Sequence, residues 1–361
     1  MGESRPGEQH PDRMTWHLLL SQNSSQNNWM KNPMIAKRVF HATAVCALLS
    51  ASCAWAQAKI DYPNRPVRMI VPFAPGGASD FVARIMQGPM NELLGQTVII
   101  DNRTGAAGNI GVETAARANA DGYTFILGNI GTMAINPSIF PKFPYKSLQH
   151  LTPVTQVVDV PGALVVHPSQ PVKNVKELIA FLKANPNKLN FGSPGGGSAN
   201  RLEMEIFKML TKTDMVHVPY KGGAGPAMTG LLTGEVQLMF VTFSSAVNFV
   251  KQGRVRMLGV VSPERVPALP DVPTMKEQGF PKMVIGSWQG LFVPKGTPRP
   301  VISRLFDVGQ KTMKTAEAVK RLSDGGVSIV VSKSPEDFLT FVKSENERFA
   351  KVVNEAKIET E

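Results

Sequence analysis

The chain alternates short apolar segments with longer amphipathic segments, and this alternation constrains the fold more than any other feature. Val67–Val71 and Ala163–Val166 have the length and composition of buried strands. Asp80–Leu94 and Val175–Asn185 repeat apolar residues at the spacing of a helix. Strands and helices that alternate in this way form βα units. We therefore predict an α/β fold of two βα sheets, in which the C-terminal part of the chain returns to the first sheet.

The same pattern places the remaining elements. Further strands are predicted at Thr97–Ile100, Tyr123–Leu127, Asn190–Gly192, Val216–Val218, Val236–Phe240, Val255–Val261, Trp288–Val293 and Ser328–Val331. Further helices are predicted at Ile110–Ala118, Ser198–Leu210, Pro226–Leu232, Ser245–Gln252, Val301–Met313, Ala316–Ser323 and after Ser334. Asn174 and Ser334 are the expected N-caps of their helices. Pro89 should kink or break the helix at Asp80–Leu94, because proline has no N–H to donate.

The N-terminal region has the pattern of an export signal. Lys37 and Arg38 precede an apolar run at Val39–Leu49, and small residues then lead to Ala58. The apolar run is shorter than the roughly 20 residues that a membrane-spanning helix needs. We predict that residues 1–58 are removed by cleavage near Ala58, with Met30 and Met34 as alternative start sites. An N-terminal helix packed on the core is the alternative interpretation.

Charge and cysteine usage exclude several classes of protein. The net charge is +11, and residues 59–361 carry 34 basic and 25 acidic side chains. These charges are spread along the predicted helices, whereas nucleic-acid binding proteins cluster basic residues on one element. Both cysteines, Cys46 and Cys53, lie in the predicted leader, so no disulfide is expected. A domain of this size has enough core to fold without one.

Four predicted strand-to-helix turns are rich in Gly, Pro, Ser and Thr. They are Pro72–Asp80, Gly128–Thr132, Gly192–Asn200 and Pro219–Pro226. Each turn leads into a helix N-terminus, where unpaired N–H groups and the helix dipole favour an anion. Ligands of open α/β sheets bind at such turns, at the carboxyl ends of the strands. The alternative is that these turns only connect strands to helices.

Catalytic and metal-binding motifs are not found. No turn ends in Gly-Lys-Ser/Thr, and no G-x-G-x-x-G or G-x-S-x-G is present. His150, His167 and His217 are too widely spaced for a recognisable metal motif. Asp80 is interpreted as a cap for its own helix rather than a catalytic carboxylate, and Ser193 has no evident base partner in the sequence. We expect a protein without metal or cofactor that is not an enzyme.

Several of these segments together resemble the Bug family, the substrate-binding receptors of tripartite tricarboxylate transporters. The resemblance covers nearly all of residues 62–358. The segments that carry it include Val71–Gly77, Asn102–Arg103, Gly105–Gly108, Asp121–Thr124, Phe191–Ser193, His217–Gly222, Leu269–Thr274 and Gly290–Pro294. It implies a type II periplasmic-binding-protein fold with two α/β lobes and a cleft. Lobe 1 would comprise residues 59–160 and 291–361, and lobe 2 residues 161–290.

The resemblance also implies a function. The protein would be a periplasmic monomer that closes on a small organic carboxylate and delivers it to membrane subunits of a transporter; a sensing subunit or a periplasmic enzyme is the alternative. Backbone amides, hydroxyls and water would hold the carboxylate. The predicted ligand-binding residues are Phe73, Ala74, Gly76, Gly77, Ser79, Asp80, Asn129, Thr132, Ser193, Gly195, Gly197, Ser198, Gly222, Gly223 and Phe243. The chain departs from the family at Asn200, where members often have His, and at Val241–Phe243, which lacks a frequent acidic residue.

Overall fold

Ten strands and eleven α-helices alternate along the described part of the computed structural model, which comprises residues 61–281, 283 and 286–355. The strands are β1 (Val67–Val71), β2 (Val98–Asn102), β3 (Thr124–Asn129), β4 (Leu151–Val166), β5 (Asn190–Ser193), β6 (Val216–Pro219), β7 (Leu238–Thr242), β8 (Arg256–Val261), β9 (Gly286–Pro294) and β10 (Ser328–Ile329). The helices are α1 (Ala78–Leu94), α2 (Asn109–Ala116), α3 (Asn136–Ile139), α4 (Ser147–His150), α5 (Val175–Ala184), α6 (Ala199–Thr211), α7 (Ala224–Thr233), α8 (Phe243–Lys251), α9 (Arg299–Thr312), α10 (Ala316–Asp324) and α11 (Pro335–Glu355). The predicted leader, its cleavage site and both alternative start sites lie outside the described residues.

The predicted α/β alternation is confirmed, together with two of its local signals. Asn174 accepts a hydrogen bond from the amide of Glu177 at 2.9 Å and caps α5. Ser334 accepts one from the amide of Asp337 at 3.1 Å at the start of α11. The short helices α3 and α4, and a π-helical turn before α3, were not predicted, since they are too short to show a period.

The strands form two parallel groups joined by an antiparallel centre. The order is β2-β1-β3-β9-β4-β7-β5-β6, with β8 and β10 also paired to β4. β1 runs parallel to β2 and β3, and β5 runs parallel to β6 and β7. β9 and β4 run antiparallel to each other between these groups. We call the β1–β3 side with β9 the first lobe, and the β5–β8 side the second lobe.

Strand β4 belongs to both lobes. Its segment from Leu151 to Pro161 pairs with β9, and Gly162–Val166 pairs with β7 and β8. The prediction of a strand at Ala163–Val166 alone was therefore too short. The longer strand was not predicted because it contains prolines at 153 and 161, and proline is rare inside strands. Near Pro153 the register of β4 against β9 shifts. The predicted lobe limits at 160/161 and 290/291 fall within β4 and β9, and they stay a prediction.

Helix α1 continues through Pro89 from Ala78 to Leu94, so of the predicted kink or break the break is wrong. Proline removes one intrahelical hydrogen bond, but its ring is buried here beside Met90 and contributes to packing. The apolar stripe of the helix, with Val82 and Ile85, packs on Met69 in β1. This packing outweighs the lost bond and fixes the N-terminus of α1 at the cleft.

Trp288 packs in the core and does not wall the cleft. Its side chain is buried, its ring meets that of Phe338 edge-on at 5.8 Å, and Nε1 donates to Glu345 at 3.0 Å. These contacts attach α11 to β9 of the first lobe. Within residues 61–355 the structure shows no helix with the length and hydropathy needed to span a membrane.

Candidate functional site

A cavity lies between the two lobes, where the carboxyl ends of the parallel strands face each other. Counting its open mouth, the cavity encloses about 470 Å³ of empty space. The lining residues share one property: none of those described is charged. They are Phe73, Gly77, Ala78, Ser79, Asn129, Ile130, Gly131, Pro194, Ser198, Ala199, Asn200, Ala224, Thr242, Ser287 and Gln289.

The four Gly-rich turns meet around this cavity. The amide of Ala74 in the first turn donates to the carbonyl oxygen of Gly222 in the fourth at 2.8 Å. A Cβ added to Gly131 in the second turn would lie 3.3 Å from the carbonyl oxygen of Gly197 in the third. The first two turns belong to the first lobe and the other two to the second. Direct contact between them means that the structure shows the cleft closed.

Helix N-termini supply the positive potential of the cavity. The first residues of α1, α6 and α7 line it, as does Thr242, which precedes α8. Gly77, Gly223 and Thr242 occupy the N-cap positions of α1, α7 and α8, and none of them offers a side-chain cap. α6 differs, because Ser198 accepts from the amide of Arg201 at 3.2 Å. Amides in the first turn of an uncapped helix lack intrahelical acceptors and are available to an anion.

Asp80 fixes the first turn rather than facing the cavity. Its carboxylate accepts from the amide of Gly76 at 3.0 Å, from Arg84 Nε at 2.8 Å and from Asn102 Nδ2 at 3.2 Å. Burial opposes ionisation, but these hydrogen bonds, led by that of Arg84, hold the pKa of Asp80 below its usual value. The paired charge does not repel an anion strongly. Gly77 is the N-cap of α1 and no side chain caps it, so Asp80 does not cap its own helix as predicted; it holds the preceding turn through Gly76 instead.

Glu203 lies behind the cavity wall and is almost completely buried. Burial raises the pKa of Glu203 to about 8, although a hydrogen bond from Asn200 Nδ2 at 3.0 Å acts in the opposite direction. A Cβ on Gly162, where β4 passes from one sheet to the other, would collide with the Glu203 carboxyl group. At neutral pH this group is mostly protonated, so it adds little negative charge beside the cavity.

Ser193 has a partner that the sequence did not reveal. Its Oγ lies 2.7 Å from His217 Nε2, and it also bonds to the amide and carbonyl of Gly195 at 3.2 Å each. Burial, followed by the charges of Arg201 and Lys208, lowers the pKa of His217 to about 4. Such a weak base activates a serine poorly, and Ser193 is fully buried. The pair shapes the third turn instead of forming a nucleophile.

Comparison with known proteins decides the family. A family model described as the tripartite tricarboxylate transporter family receptor matches residues 82–358. The chain belongs to this family. The expected resemblance and the periplasmic-binding-protein fold are thereby confirmed, and the members of this family are solute-binding receptors.

Relatives of this receptor match it over most of its length. Protein BugT of Bordetella pertussis is 36% identical over 295 residues, which is 81% of this chain and 90% of BugT. The solved periplasmic binding protein BugD is 34% identical with a TM-score of 0.78, covering 83% of this chain and 100% of BugD.

Two related structures contain carboxylates. An R. palustris protein solved with adipate is 33% identical, with a TM-score of 0.80, and the match covers 83% of this chain and 99% of that one. MatC from Rhodopseudomonas palustris, solved with bound malate, is 33% identical, with a TM-score of 0.76, and the match covers 81% of this chain and 100% of MatC.

The predicted site residues of this receptor fall into three groups. Those that line the cavity are Phe73, Gly77, Ser79, Asn129 and Ser198. Those that surround a second hollow at the cleft mouth, which Phe73 also borders, are Gly195, Gly222 and Gly223. The remaining residues do not line the cavity but stabilise the turns around it or the contact between the lobes. They are Ala74, Gly76, Asp80, Thr132, Ser193, Gly197 and Phe243.

Thr132 and Phe243 show why the last group is separate. Thr132 is buried and exchanges hydrogen bonds with Asn129, its amide donating to Asn129 Oδ1 at 3.0 Å. Phe243 has no exposed surface and packs against Gly326. Both support the cavity wall of the receptor without reaching its lining.

Sequence reasoning missed the floor of the cavity. Ser287 and Gln289 come from β9 and face the same side of that strand, since side chains alternate. Two polar residues at alternate positions of an apolar strand were the available signal. Within the described part of the receptor no cluster of three or more His, Cys, Asp or Glu side chains could hold a metal ion.

Proposed function

We propose that this receptor is exported to the periplasm, where it captures a small organic carboxylate for a tripartite tricarboxylate-type transporter. The predicted leader, removed near Ala58, would direct export. The two lobes would open and close about β4, the strand that pairs with strands of both. The mature protein would act as a monomer and carry out no chemical conversion.

One observation carries the proposal: several helix N-termini converge on a single cavity that is lined by uncharged residues. Carboxylates need donors, and the donors offered here are backbone amides and the hydroxyls of Ser79, Thr242 and Ser287. The adipate and malate in two related structures support the same ligand class.

The magnitudes suit a receptor that must also release its ligand. A hydrogen bond to a charged group contributes about 1.5–3 kcal/mol. Three or four such bonds, less the cost of ordering the ligand and closing the lobes, leave about 8 kcal/mol, which corresponds to a micromolar Kd.

Ligand binding is tested with the purified protein by thermal shift and calorimetry. We expect at least one of succinate, malate, glutarate, adipate or citrate to raise the Tm and to bind with about micromolar Kd. The dimethyl or trimethyl ester of the same acid is the control, because it keeps the carbon chain and loses the charge. Equal stabilisation by acid and ester, or by none of the acids, would contradict the proposal.

Transport is tested in cells that lack the gene. We expect uptake of the stabilising acid to fall to background and to return with the full-length gene. Normal uptake combined with a lost transcriptional response to the acid would instead favour the sensing alternative.

A further inference from the structure

The side chain of Gln289 is an unpaired amide in the floor of the cavity. It has no exposed surface, and neither Oε1 nor Nε2 has a hydrogen-bond partner among the described residues. The alternative orientation of the amide, in which Oε1 and Nε2 change places, leaves both positions equally unpaired. Gln289 also lines the cavity between the lobes.

Strand β9 holds this amide in place. Gln289 lies opposite Asn129 of β3 and Val158 of β4, so its backbone is fixed by a strand on each side. The neighbouring Trp288 points to the other face, toward Phe338 and α11. A rigid strand is a good support for a group that recognises a ligand, because its side chains keep their directions.

Leaving a buried donor and a buried acceptor unpaired destabilises a protein. This cost persists in evolution most readily where a ligand supplies the missing partners. The partners needed here are one acceptor for Nε2 and one donor for Oε1, side by side in the plane of the amide.

A carboxylate cannot meet this requirement, since it offers acceptors only and would leave Oε1 unpaired beside a negative oxygen. A primary carboxamide meets it with two antiparallel hydrogen bonds. The absence of any charged side chain from the described lining agrees with a neutral group at this end.

We infer that Gln289 selects a ligand that carries a carboxamide in addition to its carboxylate, namely the monoamide of a dicarboxylic acid. This inference rests on the proposed function: the carboxylate lies at the helix N-termini, and the amide lies against Gln289. Gln289 is thus a specificity-determining residue of the receptor.

The test compares acids with their monoamides at equal chain length. Succinate, glutarate and adipate are titrated by calorimetry beside succinamate, glutaramate and adipamate, which have the same number of heavy atoms. We expect the monoamide to bind at least about tenfold more tightly at the chain length that spans the cavity, because the acid leaves Oε1 unpaired.

Gln289→Met removes both amide atoms at nearly constant shape. It should abolish the preference for the monoamide while the acid still binds, and it should leave the Tm of the free protein unchanged or higher. Gln310→Met is the matched control: Gln310 Nε2 donates to the carbonyl of Ser332 at 2.6 Å, away from the cavity. The control should lower the Tm and keep the preference for the monoamide.

The outcomes separate this inference from the proposed function. If the diacids bind as tightly as their monoamides at every length, the inference is wrong and carboxylate capture stands. If Gln289→Met keeps the tenfold preference, another group recognises the amide and the inference is also wrong. If no compound of either series binds, the inference is wrong, and the ester-controlled screen with malate and citrate decides the proposed function independently.

Discussion

The backbone amide of Ala74 donates a 2.8 Å hydrogen bond to the carbonyl oxygen of Gly222, and this bond joins the two lobes across the cleft. Next to it, Phe73 of the first lobe lies directly against Gly223 of the second. A backbone-to-backbone bond of this kind forms only when the lobes meet. The closed form is therefore sensitive to any atom added between these two turns.

A methyl group at this contact should impair closure. In Gly223→Ala the new Cβ would lie 2.9 Å from Phe73 Cδ1, and the φ of +103° is unfavourable for alanine. We expect ligand binding to weaken at least tenfold, together with a loss of unfolding free energy of about 1–2 kcal/mol. Calorimetry and thermal unfolding measure the two effects.

Gly234→Ala is the control for backbone strain. Gly234 ends the same helix with a φ of +79°, but its nearest neighbour, His167, would be 3.8 Å from the new Cβ. This variant should lose similar stability and keep its affinity. If both variants weakened binding equally, the contact between the new Cβ at position 223 and Phe73 would not be the cause of impaired closure.

Single backbone donors can be removed at the helix N-termini. Proline is tolerated at the first position of a helix, where its missing N–H breaks no intrahelical bond. Gly77 and Ser198, the residues before Ala78 and Ala199, already have extended ψ values of 172° and 147°, as a following proline requires. We expect Ala78→Pro and Ala199→Pro each to weaken carboxylate binding about tenfold or more, the value of one charge-assisted hydrogen bond.

Ala316→Pro is the matched control at the first position of α10. Ala316 is exposed and follows Thr315, which has a ψ of 142°. The variant should fold normally and bind with unchanged Kd. Unchanged binding by all three variants would contradict anion capture by first-turn amides.

Glu203 should make the receptor less stable at alkaline pH. The folded state keeps the carboxyl protonated up to about pH 8, whereas the unfolded state ionises near pH 4.5. The stabilisation from this difference is complete below pH 4.5 and is lost as pH rises towards 8, roughly 5 kcal/mol in total. Glu203→Gln should lack this decline when unfolding is followed by urea titration from pH 5 to 9.

Ionised Glu203 should also repel the ligand. Above pH 8 we expect carboxylate binding by the unmodified protein to weaken roughly tenfold, because a negative charge then lies beside Asn200 in the cavity wall. Binding by Glu203→Gln should stay constant. Glu205→Gln removes a charge from the same helix at the ion pair with Lys208 and should keep the pH dependence.

The contacts of Ser193 predict a structural effect for Ser193→Ala. Loss of the bonds to His217 and Gly195 should lower the unfolding free energy by about 1–2 kcal/mol. Affinity should change by less than about threefold, and the rate of ester hydrolysis should equal that of the unmodified protein. A tenfold loss of affinity without a loss of stability would show that Ser193 contacts the ligand.

The sequence predicted those parts of the fold that depend on local pattern. Strand β1 and the caps Asn174 and Ser334 were placed correctly, because alternation of apolar residues and capping preferences act over a few residues. The Gly-rich turns were predicted to bind a ligand from their composition and their position before helix N-termini, and the structure brings them together. The packing between the lobes decides which residues of these turns face the cavity. This packing is long-range and leaves no local pattern in the sequence from which it could be predicted.

The errors have physical causes as well. Pro89 was expected to kink or break α1; the helix is not broken, because burial of the proline in the core outweighs one lost hydrogen bond. Gln289 was overlooked because a polar residue in a strand usually faces solvent, and only the pairing of β9 on both sides shows that it is enclosed. The partnership of Ser193 with His217 joins positions 24 residues apart on adjacent strands.

At Pro161–Gly162 strand β4 stops pairing with β9 and begins pairing with β7 and β8. The two lobes of the receptor therefore share one continuous strand, β4, which is hydrogen-bonded to neighbouring strands on both sides of this point. Opening of the lobes must then bend and twist a hydrogen-bonded strand. Such a strand resists deformation and favours a return to its original geometry. This shared strand limits how far the two lobes can rotate apart. It also couples their stability, so both lobes should unfold in a single cooperative thermal transition.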